Sequence, residues 1–240
     1  MKAMIFAAGQ GVRLKPLTDN IPKALVKAGN KTLLEHAVNK LKSAGATDII
    51  INVHYLAHQI KNFIKYNNNF GINITISHEK DMLLETGGGL VYASHFFGKD
   101  EDFIIHNVDV LSDIDLNAMW DFHKKSGALA TLAVMARKTN RYFLFDDTLR
   151  LKGWQNTITN EIIKAENHKG TLTPLAFSGI HVVNSRIFEH IEETGVFSMT
   201  KVYTRLCNDH IIKAYRHDDT QWFDIGKIES LRAAEAYFRL

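Results

Sequence analysis

The chain of 240 residues has one cysteine, Cys207, and three prolines. A single thiol excludes a disulfide framework and a cysteine-based metal cluster, and a reducing, cytoplasmic setting is expected. No apolar stretch approaches the ~18 residues of a membrane-spanning helix. The strand pattern begins at Lys2, which leaves no room for a signal peptide, so no membrane partner is expected. The formal charge is only +3. No arginine-rich run is present, so no nucleic-acid partner is expected either. There are no repeats, low-complexity tracts or linkers rich in Pro, Gly or Ser. With 45% hydrophobic and 23% charged residues, the chain has the composition of one globular unit large enough to bury a substantial core.

Strand and helix signals alternate through the first half. Lys2–Phe6, Asp48–Val53, Asn73–His78 and Phe103–His106 read as strands. Helices are predicted at Leu33–Ala44, capped by Thr32 and stopped by Gly45, then at Ala57–Lys65, Gly88–Phe96 and Leu116–Ser126. This alternation predicts an α/β fold, with a mixed, mostly parallel central sheet flanked by helices. The second half changes character. Leu129–Ala136, a hairpin around Asp146-Asp147, Glu161–Ala165 and Leu175–Val182 read as strands, and Ser185–Glu193, Thr200–Asp209 and Ile228–Phe238 as helices. The expected organisation is one domain over 1–240. A nucleotide-binding half (about 1–127) merges into a small α+β portion (about 128–240).

The richest stretch follows the first strand: Ala7-Ala8-Gly9-Gln10-Gly11-Val12-Arg13, then Pro16-Leu17-Thr18 and Pro22-Lys23. Glycines let backbone N–H groups approach phosphate oxygens, while Arg13 and Lys23 supply positive charge. Two glycines alone read equally well as a tight βα turn, and no Gly-Lys-Ser/Thr follows, so this is not a Walker A loop. Pro16 and Pro22 fix φ and stiffen the loop, which lowers the ordering cost of binding.

Two carboxylates stand out. Asp109 closely follows the apolar run Phe103–His106, which puts it at a strand's carboxyl end, where open α/β sheets bind ligands. Asp224 lies between Phe223 and Ile225, where a charge needs a partner or a metal. Two carboxylates beside phosphate oxygens suit Mg²⁺; the plainer alternative makes each a cap or a surface residue. Asp115 reads as the cap of the helix at Leu116. His54 and His58 have the spacing of a helical metal pair but no evident third ligand. Trp154 and Trp222 suit stacking on a ligand or core packing.

Residues 3–25 closely resemble the signature of the sugar-1-phosphate nucleotidyltransferases, which join a sugar 1-phosphate to a nucleoside triphosphate and release pyrophosphate. The resemblance continues in family order through Leu84–Gly89, His106–Asp109, Phe177–Ile180 and Trp222–Gly226. It implies a Rossmann-like nucleotidyltransferase fold with a sugar-binding second half. Ala8, Gly9, Gln10 and Gly11 would hold the triphosphate. Gly87 and Gly88 would lie against the base, and Glu85, Asn107 and Gly179 would meet the sugar. Asp109 and Asp224 would hold Mg²⁺, and Arg13 and Lys23 would be the catalytic cations. Implied substrates are UTP or GTP and a sugar 1-phosphate, within NDP-sugar synthesis for the cell envelope.

Leu151–Trp154 resembles the short bacterial branch, which includes enzymes for N-acetylmuramate 1-phosphate, mannose 1-phosphate and manno-heptose 1-phosphate. The family's mid-chain Glu-Lys-Pro segment is missing, with Glu166-Asn167-His168-Lys169 a poor substitute. The left-handed β-helix that some members append is not expected. Two rival readings remain open: a cytidylyltransferase for a phosphorylated alcohol, and a catalytically silent subunit that binds a nucleotide sugar.

Overall fold

The structure is a computed structural model and describes residues 1–166 and 170–238. Its centre is the strand Lys2–Phe6, whose side chains alternate between two cores. Ala3 and Ile5 face one core, with Ile49, Ile51 and the helices Leu33–Ser43 and Ala57–Tyr66. Met4 and Phe6 face the other, with Ile50, Ile105 and the helices Glu85–Tyr92 and Met199–Leu206. A strand apolar on both faces must be covered on both faces. That requirement explains a layered helix–sheet–helix architecture.

The main sheet has ten strands and is mixed. Lys2–Phe6 pairs in parallel with Asp48–Val53 on one side and Asp102–Asn107 on the other, and Asn73–His78 adds in parallel beyond Asp48–Val53. Across the middle, the long strand Thr173–Asn184 runs antiparallel to Asp102–Asn107 and, on its other side, to Ala130–Met135. It also pairs with Arg141–Phe145, which leads to the hairpin strands Leu151–Asn156 and Glu161–Lys164. The mixed sheet flanked by helices is the architecture the sequence predicts.

Local signals are met in detail. Thr32 Oγ1 accepts from the Glu35 N–H at 3.1 Å, while the Glu35 carboxylate accepts from the Thr32 N–H at 2.7 Å, a reciprocal capping box. Asp115 caps Leu116–Ser126, and Gly127 ends it at φ 60°, a left-handed conformation that glycine adopts freely.

Two predicted helices are corrected. The helix expected at Gly88–Phe96 runs from Glu85 to Tyr92, with a separate 3₁₀ turn at Ser94–Phe96. Gly87 and Gly88 let the helix backbone lie directly on the 195–197 segment: a Cβ at Gly88 would stand 2.3 Å from the Gly195 carbonyl oxygen. Ser185–Glu193 forms only the 3₁₀ turn Ser185–Glu189. Beyond it the Glu193 carboxylate is held by Arg205 at 2.8 and 3.0 Å, so contacts outside the segment outweigh its helical propensity. The segment Glu166–Lys169, weighed above as a substitute for the missing family motif, lies at 167–169 outside the described residues. No helix among the described residues is long and apolar enough to cross a membrane.

Candidate active site

The loop after the first strand is closed by its own residues. The Thr18 hydroxyl donates to the Gly11 carbonyl at 2.8 Å. Gly11 sits at φ 69°, and a Cβ there would meet Thr18 Cγ2 at 2.9 Å and Lys23 Cβ at 3.0 Å. Only glycine fits that crossing. Gly9 is the opposite case, because a Cβ on it would meet nothing within 4 Å. The protein's own packing does not require Gly9 to be a glycine. Pro22 holds extended backbone immediately before the turn Lys23–Leu25, and Lys23 folds back under the loop, 8% exposed.

The loop roofs a cleft lined by Ala8, Gly9, Gly11, Arg13, Lys23, Glu85, Thr86, Asn107, Asp109 and Gly226 among others. Lys23 Nζ donates to Asp109 Oδ2 at the cleft wall. A short antiparallel strand pair, Val110–Ser112 with Trp222–Asp224, sets Asp224 opposite Val110. Sequence reasoning missed both strands, each only three residues long and too short for an alternation signal. Gly226 then gives way to two other groups. A Cβ there would stand 2.8 Å from Arg13 Nη2 and 3.1 Å from Asp224 Oδ1. Arg13, Lys23, Asp109 and Asp224 therefore converge on one end of the cleft.

The electrostatics of that end are unusual. Asp224 Oδ1 is buried and has no hydrogen-bond partner among the described residues. Burial first, then the neighbouring Asp109, pushes the Asp224 carboxyl above the ordinary carboxylate range, against the pull of Lys23, Arg13 and Arg137. Arg137 was not anticipated. Its guanidinium lies 4.0 Å from the Trp222 ring centre and donates to the Phe177 carbonyl at 2.8 Å. Trp222 thus packs against the core, one of the two roles read for it, and also carries an arginine. Burial lowers the Arg137 pKa, partly offset by Asp224.

A second unanticipated set stiffens the roof. The Ala7 N–H donates to Asn52 Oδ1 at 2.7 Å, Asn52 Nδ2 donates to Glu79 Oε1 at 2.7 Å, and Glu79 Oε2 accepts from the Leu84 N–H at 2.9 Å. Asn52 and Glu79 are 3% and 2% exposed. The signal was present: Asn52 interrupts the apolar run Ile49–Val53, and a polar residue in such a run needs a specific partner.

Several predicted residues stand elsewhere. Gly87 and Gly88 are buried just beyond the cleft-lining Glu85 and Thr86, and their N–H groups donate to the Phe197 carbonyl at 2.8 and 3.2 Å. Within the protein, Phe197 and Gly195 pack against them. Gly179, at φ 76°, lies behind Asn107: a Cβ would meet Asn107 Nδ2 at 2.8 Å. Gly179 makes room for Asn107 and does not itself line the cleft. Glu85 lines the cleft with strained backbone at φ 58°. Gln10 is exposed on the loop. His54 uses Nδ1 on the Glu79 carbonyl at 2.6 Å.

The Nucleotidyl transferase family matches residues 2–239. The N-acetylmuramate alpha-1-phosphate uridylyltransferase of Neisseria meningitidis serogroup B is 30% identical over 236 residues, 98% of this chain and 97% of that protein. A mannose-1-phosphate guanyltransferase of Gibberella zeae is 29% identical over 95% of this chain, which spans only 61% of that longer enzyme. Among solved structures, a UDP-glucose pyrophosphorylase complexed with UDP-glucose superimposes with a TM-score of 0.81 at 19% identity, over 99% of this chain and 98% of that one. With a family match spanning nearly its whole length, a full-length relative and the same fold, the chain belongs to the nucleotidyl transferase family.

Proposed function

We propose that this enzyme transfers a uridylyl or guanylyl group from a nucleoside triphosphate to a sugar 1-phosphate, with release of pyrophosphate. One observation carries the reading: two cations and two carboxylates from separate parts of the chain converge at one end of a cleft roofed by a glycine loop. The printed activities of the two curated relatives, a uridylyl and a guanylyl transfer, support the same substrates.

The nucleophile needs little help. A phosphate monoester with a second pKa of about 6 is already dianionic near neutral pH. The obstacle is repulsion between two anions, so positioning and charge neutralisation dominate. Ala8, Gly9, Gln10 and Gly11 offer backbone N–H groups to the triphosphate. Arg13 neutralises the departing pyrophosphate with its planar donor fork. Lys23, paired with Asp109 in the free protein, turns to the α-phosphate when nucleotide enters. Asn107 and Glu85 line the same cleft and face the sugar.

Asp109 and Asp224 would hold Mg²⁺. The buried, unpartnered Asp224 Oδ1 fits this role, since a dry carboxylate oxygen without a partner is costly and an all-oxygen donor set suits a hard cation. When bound, such an ion supplies Lewis acidity that polarises a phosphate oxygen.

The test is a matrix of ATP, CTP, GTP, TTP and UTP against sugar 1-phosphates and phosphorylated alcohols, scored by pyrophosphate release with Mg²⁺, with calorimetric binding of nucleotide sugars alongside. Release with UTP or GTP and a sugar 1-phosphate is expected. Release only with CTP and a phosphorylated alcohol would overturn the reading. So would nucleotide-sugar binding with no release across the matrix.

A further inference from the structure

The long strand Thr173–Asn184 is not regular along its length. Its register against Ala130–Met135 slips between Phe177 and His181, a bulge that holds Gly179 at φ 76°. Two side chains grip the backbone there. Arg137 Nη2 donates to the Phe177 carbonyl and Trp222 Nε1 donates to the Ser178 carbonyl, each at 2.8 Å. The Arg137 guanidinium also lies on the Trp222 ring, 4.0 Å from its centre. An arginine and a tryptophan far apart in sequence thus hold neighbouring carbonyls and each other.

A second set secures the same bulge. The Thr220 hydroxyl donates to the His217 carbonyl at 3.0 Å, and His217 Nδ1 lies 2.7 Å from that hydroxyl oxygen. Burial lowers the His217 pKa, so the ring is neutral. With the Thr220 proton already used, Nδ1–H donates to Thr220, and the Ser178 hydroxyl donates to Nε2 across 2.7 Å. The His217 N–H donates to the Val134 carbonyl at 3.1 Å. The turn that leads into Trp222–Asp224 is therefore tied both to the bulge and to the strand beside it.

The clamp bears on the site through Asp224. Trp222 and Asp224 stand two apart on one strand, so their side chains project to the same face. Gly179, inside the bulge, backs on Asn107, which lines the cleft. Arg137 itself does not line the cleft. Its Nε is buried with no hydrogen-bond partner among the described residues, a costly arrangement. An apolar side chain would cover Trp222 without that cost. What arginine adds is a planar fork that stacks and donates at once. We infer that Arg137 is a positioning residue for the nucleotidyl transfer: through Trp222 it sets where the Asp224 carboxylate stands relative to Asp109. This inference rests on the proposed function and its assignment of Asp224 to Mg²⁺.

The test is Arg137→Lys, which keeps the positive charge and loses the planar fork. Turnover of native protein and variant is measured against Mg²⁺ concentration, and nucleotide binding by calorimetry in EDTA. A displaced Asp224 should lower kcat by about tenfold or more and raise the half-saturating Mg²⁺ concentration by about tenfold. Nucleotide affinity in EDTA should not change, because the glycine loop is untouched. A lower kcat at an unchanged Mg²⁺ requirement is mere loss of folded protein and overturns the inference, as does an unchanged kcat. Weaker nucleotide binding in EDTA overturns it too, since the effect would then lie at the nucleotide. A readout without turnover follows the same metal: the Mg²⁺ concentration at the midpoint of the rise in melting temperature should be higher for the variant. If the native protein turns over no sugar 1-phosphate, the proposed function falls and this titration decides alone. A higher midpoint keeps Arg137 as the support of Asp224; an equal midpoint, or no Mg²⁺ response in the native protein, overturns it. Should Arg137→Lys fail to fold, Trp222→Phe takes its place, keeping a ring for the guanidinium and losing the donor to Ser178, with the same outcomes.

Discussion

The backbone N–H of Ile225 donates to the carbonyl of Asp109 across 2.8 Å. Through that bond the segment carrying Asp224 is tied to the strand end carrying Asp109, although the two acids lie far apart in sequence. The neighbouring strand pair, with Phe223 opposite Leu111, fixes the register. A slip of one residue would turn Asp224 to the other side of its strand.

Asp109→Asn keeps the shape of the side chain and leaves Lys23 an oxygen to donate to, while removing one negative charge. Turnover is expected to fall by at least ~100-fold, the scale for loss of a preorganised electrostatic group. The circular dichroism spectrum should not change. A variant turning over at the native rate with Mg²⁺ would remove Asp109 from the mechanism.

The two loop glycines should respond differently to alanine. Gly9→Ala meets open space, so thermal stability should hold while triphosphate binding, read by calorimetry, weakens. Gly11→Ala forces a left-handed conformation onto a residue with a Cβ, at ~1–2 kcal/mol, and adds contacts at 2.9 and 3.0 Å. Its melting temperature should fall. If Gly9→Ala binds nucleotide normally, phosphate does not approach that backbone.

Arg13→Lys keeps the charge and loses the planar fork. With Arg13 Nη2 lodged in the space above Gly226, turnover should fall by about tenfold or more with little change in melting temperature, because Arg13 is exposed. Unaltered kinetics would leave Arg13 with a purely structural role.

Asp224 predicts a pH and metal dependence of stability. Its carboxyl is raised in the folded chain from an ordinary value of 3.8. Just above that value the folded chain binds the extra proton, so stability falls as pH rises toward the raised value and stays lower at neutral pH. Asp224→Asn should therefore melt higher than the native protein at pH 7 without metal, and the gap should narrow toward acid pH. Added Mg²⁺ should raise the melting temperature of the native protein but not of the variant. A variant that melts lower at pH 7, or responds equally to Mg²⁺, would contradict this account.

Much of the frame was legible because its signals are local. Thr32 with Glu35, Asp115 with Leu116, and Gly127 each mark a helix end through hydrogen bonds or a backbone angle within a few residues. The alternation Ala3, Ile5 against Met4, Phe6 requires two covered faces. The glycine helix Glu85–Tyr92 was harder to place. Gly87 and Gly88 matter through contact with Phe197 and Gly195, about a hundred residues away, and Gly89 through contact with Glu79 and Asn52, and such contacts leave no local pattern.

By itself the sequence determined the sheet's central strands, the stiff glycine loop and the residue types at the site, since each depends on propensity, periodicity or a motif read along the chain. Tertiary structure alone decided that Lys23 meets Asp109, that Asp224 Oδ1 is left without a partner among the described residues, and that Arg137 lies on Trp222. Those relations join groups distant in sequence. Their energies depend on separation, burial and which donor faces which acceptor, and these become fixed only when the two cores close around the sheet.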